Sequence, residues 1–162
     1  MKIRLGMSPI SWSNDDLPQL GGDTPLAVCL AETRQAGFTG TENGGKFPTA
    51  AEPMKAVLAA HDLKLVSGWY SGTIITNDLA AEIEKITPQL TLFRDVGAPV
   101  IVYGETYETV QNRQERPLAT RPKLADFDVA AYGRRLTGLA EYCADFGVPL
   151  TFHHHMGTAV ET

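Results

Sequence analysis

Short β-type apolar runs alternate along the chain with longer stretches in which apolar residues recur every three to four positions. The short runs predict strands, and the longer stretches predict helices with one buried face. The predicted strands cover residues 3–10, 38–43, 64–69, 100–103 and 148–153, and the predicted helices cover 24–36, 50–60, 78–96 and 128–146. The polar stretch 105–126, which contains Pro117 and Pro122, predicts an irregular loop.

Three of these helices are predicted to end at a glycine that is followed almost at once by a strand. The glycines are Gly37, Gly97 and Gly147. This is the short connection of a repeated β/α unit. The strands are short and continuously apolar, which favours a parallel sheet covered by helices. An open doubly wound sheet and part of a barrel both accommodate this order of elements.

Polar and aromatic residues gather where each predicted strand ends, at positions 11–16, 42–46, 69–71, 103–105 and 153–157. In parallel α/β folds the carboxyl ends of the strands form the active-site face. Functional groups on all five ends favour a barrel, because an open sheet binds mainly at one switch point. No GxGxxG follows the first strand. We therefore predict an α/β fold whose parallel (β/α) units, in one partial domain over 1–162, form about the first five strands of a truncated TIM (β/α)8 barrel.

The composition excludes several classes of protein. Apolar residues make up 43% of the 162 residues and the net charge is −5, with no basic stripe to neutralise phosphates, so we expect no nucleic-acid partner. No apolar run is long enough for a membrane span, and no signal peptide is evident, so we expect a cytoplasmic protein. Cys29 and Cys143 are predicted to be buried thiols.

Three consecutive histidines form the strongest local signal. On a strand, His153 and His155 face one side and His154 the other. Neutral imidazoles in this arrangement could bind a metal or polarise a carbonyl, whereas histidines that are merely hydrogen-bonded near a loop are the alternative. His61, at a predicted helix end, is interpreted as structural.

Carboxylates, a lysine and aromatic rings complete the candidates. Glu42 and Glu105 could accept hydrogen bonds from hydroxyl groups or move protons, although solvated loop carboxylates are equally consistent. Lys46 could orient a substrate oxygen or lie on the surface. The aromatic residues could offer apolar faces to a sugar ring or only pack at the rim of the core, and they are Trp12, Trp69 and Tyr70. Asp15 and Asp16 could cap the turn after the first strand.

Six segments carry a resemblance to a known family. In chain order they are PISWSNDD (9–16), LGGDTPL (20–26), GGKFP (44–48), LVSGWYS (65–71), VYGE (102–105) and HHHMGT (153–158). Together they resemble the inosose dehydratase family, within the xylose isomerase-like group of (β/α)8 barrels.

The resemblance implies loss of water from 2-keto-myo-inositol (scyllo-inosose) to give a trihydroxycyclohexane-dione, with a divalent cation, manganese or cobalt. The chemistry would be proton abstraction α to a ketone, stabilisation of the enediolate and departure of a β-hydroxyl. The catalytic candidates are His153, His155, Glu105 and Lys46. The residues that would bind the keto-cyclitol substrate are Trp12, Asn14, Glu42, Trp69, Tyr70 and Tyr103. The metal candidates are His153 and Glu161, a few residues further on.

The chain also departs from the family. Thr41-Glu42-Asn43-Gly44 stands where a hydrophobic-Glu-Leu-Gly run is expected, and the family is about twice as long. Half a barrel would leave strand edges exposed, so we expect either a missing C-terminal half or assembly into a homo-oligomer.

Two other functions fit the sequence. One is a metal-dependent sugar isomerase or epimerase of the same fold, which would yield a ketose and not a dione. The other is a non-catalytic sugar-binding fragment, which would bind neither manganese nor cobalt in a calorimetric titration.

We predict that the chain is inactive on its own, because it provides at most one or two of the metal ligands. Turnover of inosose in the presence of manganese measures this directly. Clear activity of a monomer of the chain would contradict the prediction.

Overall fold

The computed structural model describes residues 3–162 and contains four α-helices and five strands within them. The helices are α1 (Leu26–Gln35), α2 (Ala51–Ala60), α3 (Leu79–Val96) and α4 (Val129–Phe146). The strands are β1 (Gly6–Met7), β2 (Gly40–Asn43), β3 (Lys64–Gly72), β4 (Ile101–Glu105) and β5 (Leu150–Phe152). Three short 3-10 turns lie at Pro9–Ser11, Leu118–Thr120 and Leu124–Asp126.

The strands follow one another in one sheet in the order β1-β2-β3-β4-β5. Gly6 of β1 lies opposite Gly40 of β2, and β2 in turn runs parallel to β3 with a shift in register between Thr41 and Glu42. β4 and β5 are also parallel, with Ile101 opposite Leu150. Parallel strands connected by helices confirm the predicted (β/α) units.

The chain divides into two compact units. The first comprises the chain up to Trp69 together with Thr91–Val100. Its core is built from one face of α1 and α2, from residues at the start of β3, and from one side chain each of α3 and of the loop after β2. The buried side chains are Cys29, Leu30, Phe47, Met54, Leu58, Leu63, Leu65 and Phe93. Burial of these apolar surfaces is the main source of stability for a unit of this kind.

The second unit comprises Tyr70–Leu90 and Ile101–Thr162. Its buried apolar side chains are Ile74, Ile75, Ile86, Leu90, Ile101, Val110, Leu139, Cys143 and Val148. Two carboxyl groups are buried among them, Glu82 at 0% and Glu105 at 1% exposure. A buried carboxyl group needs hydrogen-bond partners, so its surroundings determine the local structure.

The predicted glycine connections are confirmed. Gly37, Gly97 and Gly147 all have positive φ, at 92°, 85° and 95°. Gly147 caps the C-terminus of α4 in the left-handed conformation, where its amide binds the carbonyls of Ala144 and Cys143. At the end of α2, Asp62 occupies this backbone region with φ of 52°, and its carboxylate forms an ion pair with Arg34.

The first strand is much shorter than the predicted range 3–10. Only Gly6–Met7 pairs as a strand, and Pro9–Ser11 forms a 3-10 turn. Proline has a fixed φ and no amide hydrogen, so Pro9 cannot continue a strand ladder. Ile3 and Leu5, predicted to lie in that strand, are 74% and 60% exposed.

The last three strands also end at residues other than those predicted. β3 continues three residues beyond its predicted end and β4 two residues, so Tyr70 and Glu105 lie within strands. β5 ends at Phe152, one residue before the three histidines. The strand ladder is decided by partner strands, which local sequence does not reveal.

Both cysteines are buried and free, as predicted. Burial raises the pKa of the Cys143 thiol to about 11. In the part of the chain described, none of the helices combines the length and the apolar character that crossing a membrane requires.

We predict opposite effects for two alanine substitutions in and after α4. Gly147→Ala should lower the free energy of unfolding by about 1 kcal/mol, because an L-residue is disfavoured at positive φ. Gly133→Ala, inside the helix, should raise it by about 0.5–1 kcal/mol. A Cβ at either position meets nothing within 4 Å, so steric clash does not contribute. Urea unfolding measures both values, and equal effects would contradict the prediction.

Candidate functional site

In the first unit, Trp12 and Asn14 lie in the turn that follows β1. The Asn14 side-chain oxygen accepts hydrogen bonds from the amides of Asp16 (2.9 Å) and Leu17 (3.0 Å). This is an Asx turn, which is capped by the Asn14 side chain. The Trp12 indole N–H donates to Glu32 of α1. Both predicted substrate-binding side chains therefore already have structural hydrogen bonds.

Lys46 connects the loop after β2 to the start of α1. Its ammonium group donates to the carbonyl oxygens of Gly22 (2.6 Å) and Thr24 (2.5 Å). In the same loop, the Asp15 carboxylate accepts the amide of Gly45 at 2.7 Å. Lys46 thus holds two loops together, and a role in orienting substrate would need a donor beyond these two bonds.

Glu42 lies at the carboxyl end of β2 and is half-buried. Its Oε1 accepts the hydroxyl of Ser67, on β3, at 2.6 Å. Trp69, also on β3, is half-buried. A carboxylate fixed by a neighbouring strand is preorganised to accept a hydrogen bond from a ligand hydroxyl with its remaining lone pairs.

The cavity beside Asp15, Gly45 and Lys46 measures about 10 Å³. A space of this size holds about one water molecule. This cavity is therefore too small for a cyclitol ring.

In the second unit, Tyr103 and Glu105 form a buried pair on β4. The Tyr103 hydroxyl donates to Glu105 Oε2 at 3.0 Å. The same oxygen accepts the amide of Ile75 (3.1 Å), and Oε1 accepts the amide of Tyr107 (3.2 Å). Burial raises the pKa of Glu105 to about 7, although these three donors oppose the shift. Glu105 is thus a carboxyl group that can change protonation near neutral pH.

A second buried carboxylate accompanies Tyr70. The Tyr70 hydroxyl donates to Glu82 Oε1 at 3.0 Å, and the amide of Thr73 donates to the same oxygen at 3.1 Å. Asn77 donates to Oε2 at 3.0 Å. Burial, followed by the nearby Glu82 charge, raises the pKa of Tyr70. The Tyr70 hydroxyl is therefore neutral, and its hydrogen is already used in the hydrogen bond to Glu82.

The histidines follow β5 directly. The amide of His153 donates to the carbonyl of Tyr103 at 2.9 Å, which extends the β4–β5 ladder by one bond. The ring centroids of His153 and His155 lie 5.5 Å apart, and those of His153 and His154 lie 6.0 Å apart. His153 is exposed and His155 half-buried. The expected pairing of His153 with His155 is present, but the ring of His154 also stacks on that of His153.

Glu161, the second predicted metal ligand, is held by other groups. Its carboxylate forms an ion pair with Arg121 at 2.5 Å and accepts the amide of Gly157 at 3.1 Å. Within residues 3–162 no group of three or more His, Cys, Asp or Glu side chains could hold a metal ion. The described residues therefore do not by themselves make a divalent metal site.

The structure brings the predicted residues together in part. In the second unit Tyr103 bonds to Glu105 and meets Tyr70, with ring centroids 5.9 Å apart, and its carbonyl bonds to His153. In the first unit Trp12, Asn14, Glu42 and Lys46 each have separate partners.

Two charged residues that contribute to the second unit were not predicted. Glu82 has the same helical spacing as the apolar face of α3, four residues before Ile86. Arg135 likewise comes four residues before the buried Leu139 of α4. A charge on an apolar helix face is a signal for a buried polar role, and it was present in the sequence.

Comparisons with known proteins identify the relatives of the chain. No family model matches it. It is 51% identical over its whole length to the rhizopine catabolism protein MocC of Rhizobium meliloti, and 32% identical over 99% of its length to inosose dehydratase of Geobacillus thermodenitrificans. The chain is homologous to MocC and the inosose dehydratases. It spans about half the length of these curated relatives, 50% and 54% respectively.

A solved structure supports the fold. A xylose isomerase-like TIM-barrel protein from Mycobacterium smegmatis, in complex with magnesium, superposes with a TM-score of 0.64 at 17% identity. The match covers 98% of the chain and 57% of that protein. The five parallel strands with their helices are therefore of the xylose isomerase-like TIM-barrel type, as predicted.

We predict that Glu105 makes the stability of the chain depend on pH. Its pKa in the folded chain, about 7, lies above the ordinary value of 4.5. Between these values the folded state holds a proton that the unfolded state has lost. The free energy of unfolding should therefore fall as pH rises from 4.5 to 7, by about 3 kcal/mol from this group.

Urea unfolding of wild type and Glu105→Gln across pH 4–8 tests this dependence. The difference between the two proteins should change with pH, because glutamine does not titrate. Glu52→Gln removes an exposed carboxylate and is the control. A difference that is constant across the range would contradict the assigned burial effect.

Proposed function

We propose that the chain is part of a hydro-lyase that dehydrates 2-keto-myo-inositol, scyllo-inosose, to a trihydroxycyclohexane-dione. One observation carries the proposal: relatives named inosose dehydratase match 99% of the chain at 31–33% identity, while MocC matches all of it at 51%. The substrate class is a small polyol with one ketone. A cytoplasmic location is part of the same proposal.

Two imidazoles that follow β5 are the proposed proton-transfer groups. Dehydration of this substrate needs a base for the proton α to the ketone and an acid for the leaving hydroxyl. His153 and His155 lie at the carboxyl end of β5, with their rings 5.5 Å apart. An imidazole gives or takes a proton near neutral pH, which suits both steps.

Glu105, a predicted catalytic residue, is proposed to support this proton transfer from a buried position. It is 1% exposed, and three donors occupy its oxygens. In this conformation it supports the site through Tyr103 and the adjoining backbone. Glu42, Trp12 and Trp69 remain the proposed substrate-binding residues, of which Glu42 has a preorganised oxygen. Tyr103, also a predicted substrate-binding residue, is fully buried and instead donates its hydroxyl to Glu105.

A divalent cation, manganese or cobalt, belongs to the proposal for the whole protein. The described residues do not fit a complete metal site, since Glu161 is bound to Arg121 and Gly157. Because the chain spans about half of its relatives, we propose that it needs further residues, from a second half or another copy, to be active.

We predict that a chimera will be active where the chain alone is not. The chain replaces the matching segment of the Geobacillus thermodenitrificans inosose dehydratase, to which it is 32% identical. With manganese or cobalt, the chimera should convert scyllo-inosose to the dione, followed by its ultraviolet absorbance. His153→Gln in the chimera should lower kcat about 100-fold, while His61→Gln, at the end of α2, should not.

The parent enzyme and circular dichroism of the chimera control for assay and folding. A folded chimera that leaves scyllo-inosose unchanged would overturn the proposal. Formation of an isomerised ketose would instead identify an isomerase or epimerase. Equal losses of kcat in His153→Gln and His61→Gln would show that His153 does not take part in the proposed chemistry.

A further inference from the structure

The segment after β3 folds into a single helix-like turn. The amides of Thr76 and Asn77 both donate to the carbonyl of Thr73, at 3.1 and 3.0 Å. One turn of this kind leaves amides without partners at its start and carbonyls without partners at its end. The turn carries the buried side chains of Ile74 and Ile75, so these backbone groups need partners from the protein.

Three side chains satisfy the amide side of the turn. The amide of Thr73 donates to Glu82 of α3, that of Ile74 to the Tyr103 hydroxyl, and that of Ile75 to Glu105, each at 3.1 Å. Two of these acceptors are carboxyl groups, which suit the positive end of a helical turn.

One side chain satisfies the carbonyl side. Arg135 of α4 donates from Nε to the carbonyl of Ile74 at 2.9 Å and from Nη2 to that of Ile75 at 2.7 Å. A cation suits the negative end of a helical turn. The guanidinium group offers donors in a fixed planar arrangement, so it can bind two successive carbonyls at once, which the single nitrogen of lysine does less well.

We propose that Arg135 is a positioning residue of the candidate site. Its hydrogen bonds to the carbonyls of Ile74 and Ile75 fix the turn, and the turn directs the amides of these two residues to Tyr103 and Glu105. Arg135 acts on Glu105 through the Ile75 amide, because its guanidinium group donates hydrogen bonds to the backbone carbonyls of Ile74 and Ile75. The role of Glu105 in dehydration rests on the proposed function, but the positioning itself does not.

Loss of Arg135 should change the titration of Glu105 in a known direction. The Ile75 amide stabilises the ionised carboxylate and so lowers its pKa. When the turn loosens, this donor is withdrawn and the pKa of Glu105 should rise further. The contacts outside the turn remain: the Tyr107 amide and the Tyr103 hydroxyl still donate to Glu105, and Tyr70 still donates to Glu82.

The experiment compares Arg135→Met and Arg135→Lys with Arg134→Met, which removes the exposed neighbouring arginine of the same helix. Amide exchange measured by NMR at Ile74 and Ile75 should be about tenfold faster in Arg135→Met. The Glu105 pKa, followed by carboxyl carbon NMR, should rise by about one unit. Arg135→Lys should show smaller changes of the same sign, and Arg134→Met none.

The Ile101 amide, bound to the Pro149 carbonyl at 3.0 Å, reports global opening. A purely structural role would speed exchange at Ile101 as much as at Ile74 and Ile75, and would overturn the proposal. So would an unchanged Glu105 titration in a folded variant. If Arg135→Met does not fold, Arg135→Lys supplies the same two measurements.

In the active chimera, Arg135→Lys should lower kcat about tenfold with little change in KM, since the turn would act on proton transfer and not on binding. A chimera that fails to dehydrate scyllo-inosose would count against the proposed function alone. The NMR measurements on the chain decide the positioning role independently.

Discussion

Two carboxyl groups removed from water, Glu82 and Glu105, set the constraint on which the second unit depends. A buried carboxyl oxygen without a hydrogen-bond partner costs several kcal/mol, so donors must converge on it. Backbone amides and tyrosine hydroxyls supply them, and the amides of Thr73 and Ile75 come from one turn after β3. In its observed conformation this one turn donates to both carboxyl groups.

The same constraint relates protonation to architecture. Burial favours the neutral form of Glu105, while each donor favours the ionised form, and the balance places its pKa at about 7. Removing a donor or a neighbouring charge therefore changes both folding energy and proton affinity. Tyr103 connects the two effects, because its hydroxyl donates to Glu105 and accepts the amide of Ile74.

In the first unit the candidate side chains mainly form hydrogen bonds that hold loops in place, and they do not line a large pocket. Asn14 caps a turn, and Lys46 joins two loops. The Trp12 indole N–H donates a hydrogen bond to Glu32 of α1. Loops that carry function in β/α folds need such anchoring, because they lack a strand ladder of their own. The chain spans about half the length of its relatives, and within that span these side chains anchor the loops of the first unit.

The sequence by itself determined the repeated β/α units, the parallel sheet and the positive-φ glycines after three helices. These depend on local periodicity and on the conformational freedom of glycine, which are properties of short segments. It also placed His153 and Glu105 close to strand ends. Only the tertiary structure decided how far each strand extends and which charges are buried. Glu82 and Arg135 gain their roles from atoms distant along the chain, and hydrogen bonds over such separations cannot be inferred from helical spacing alone.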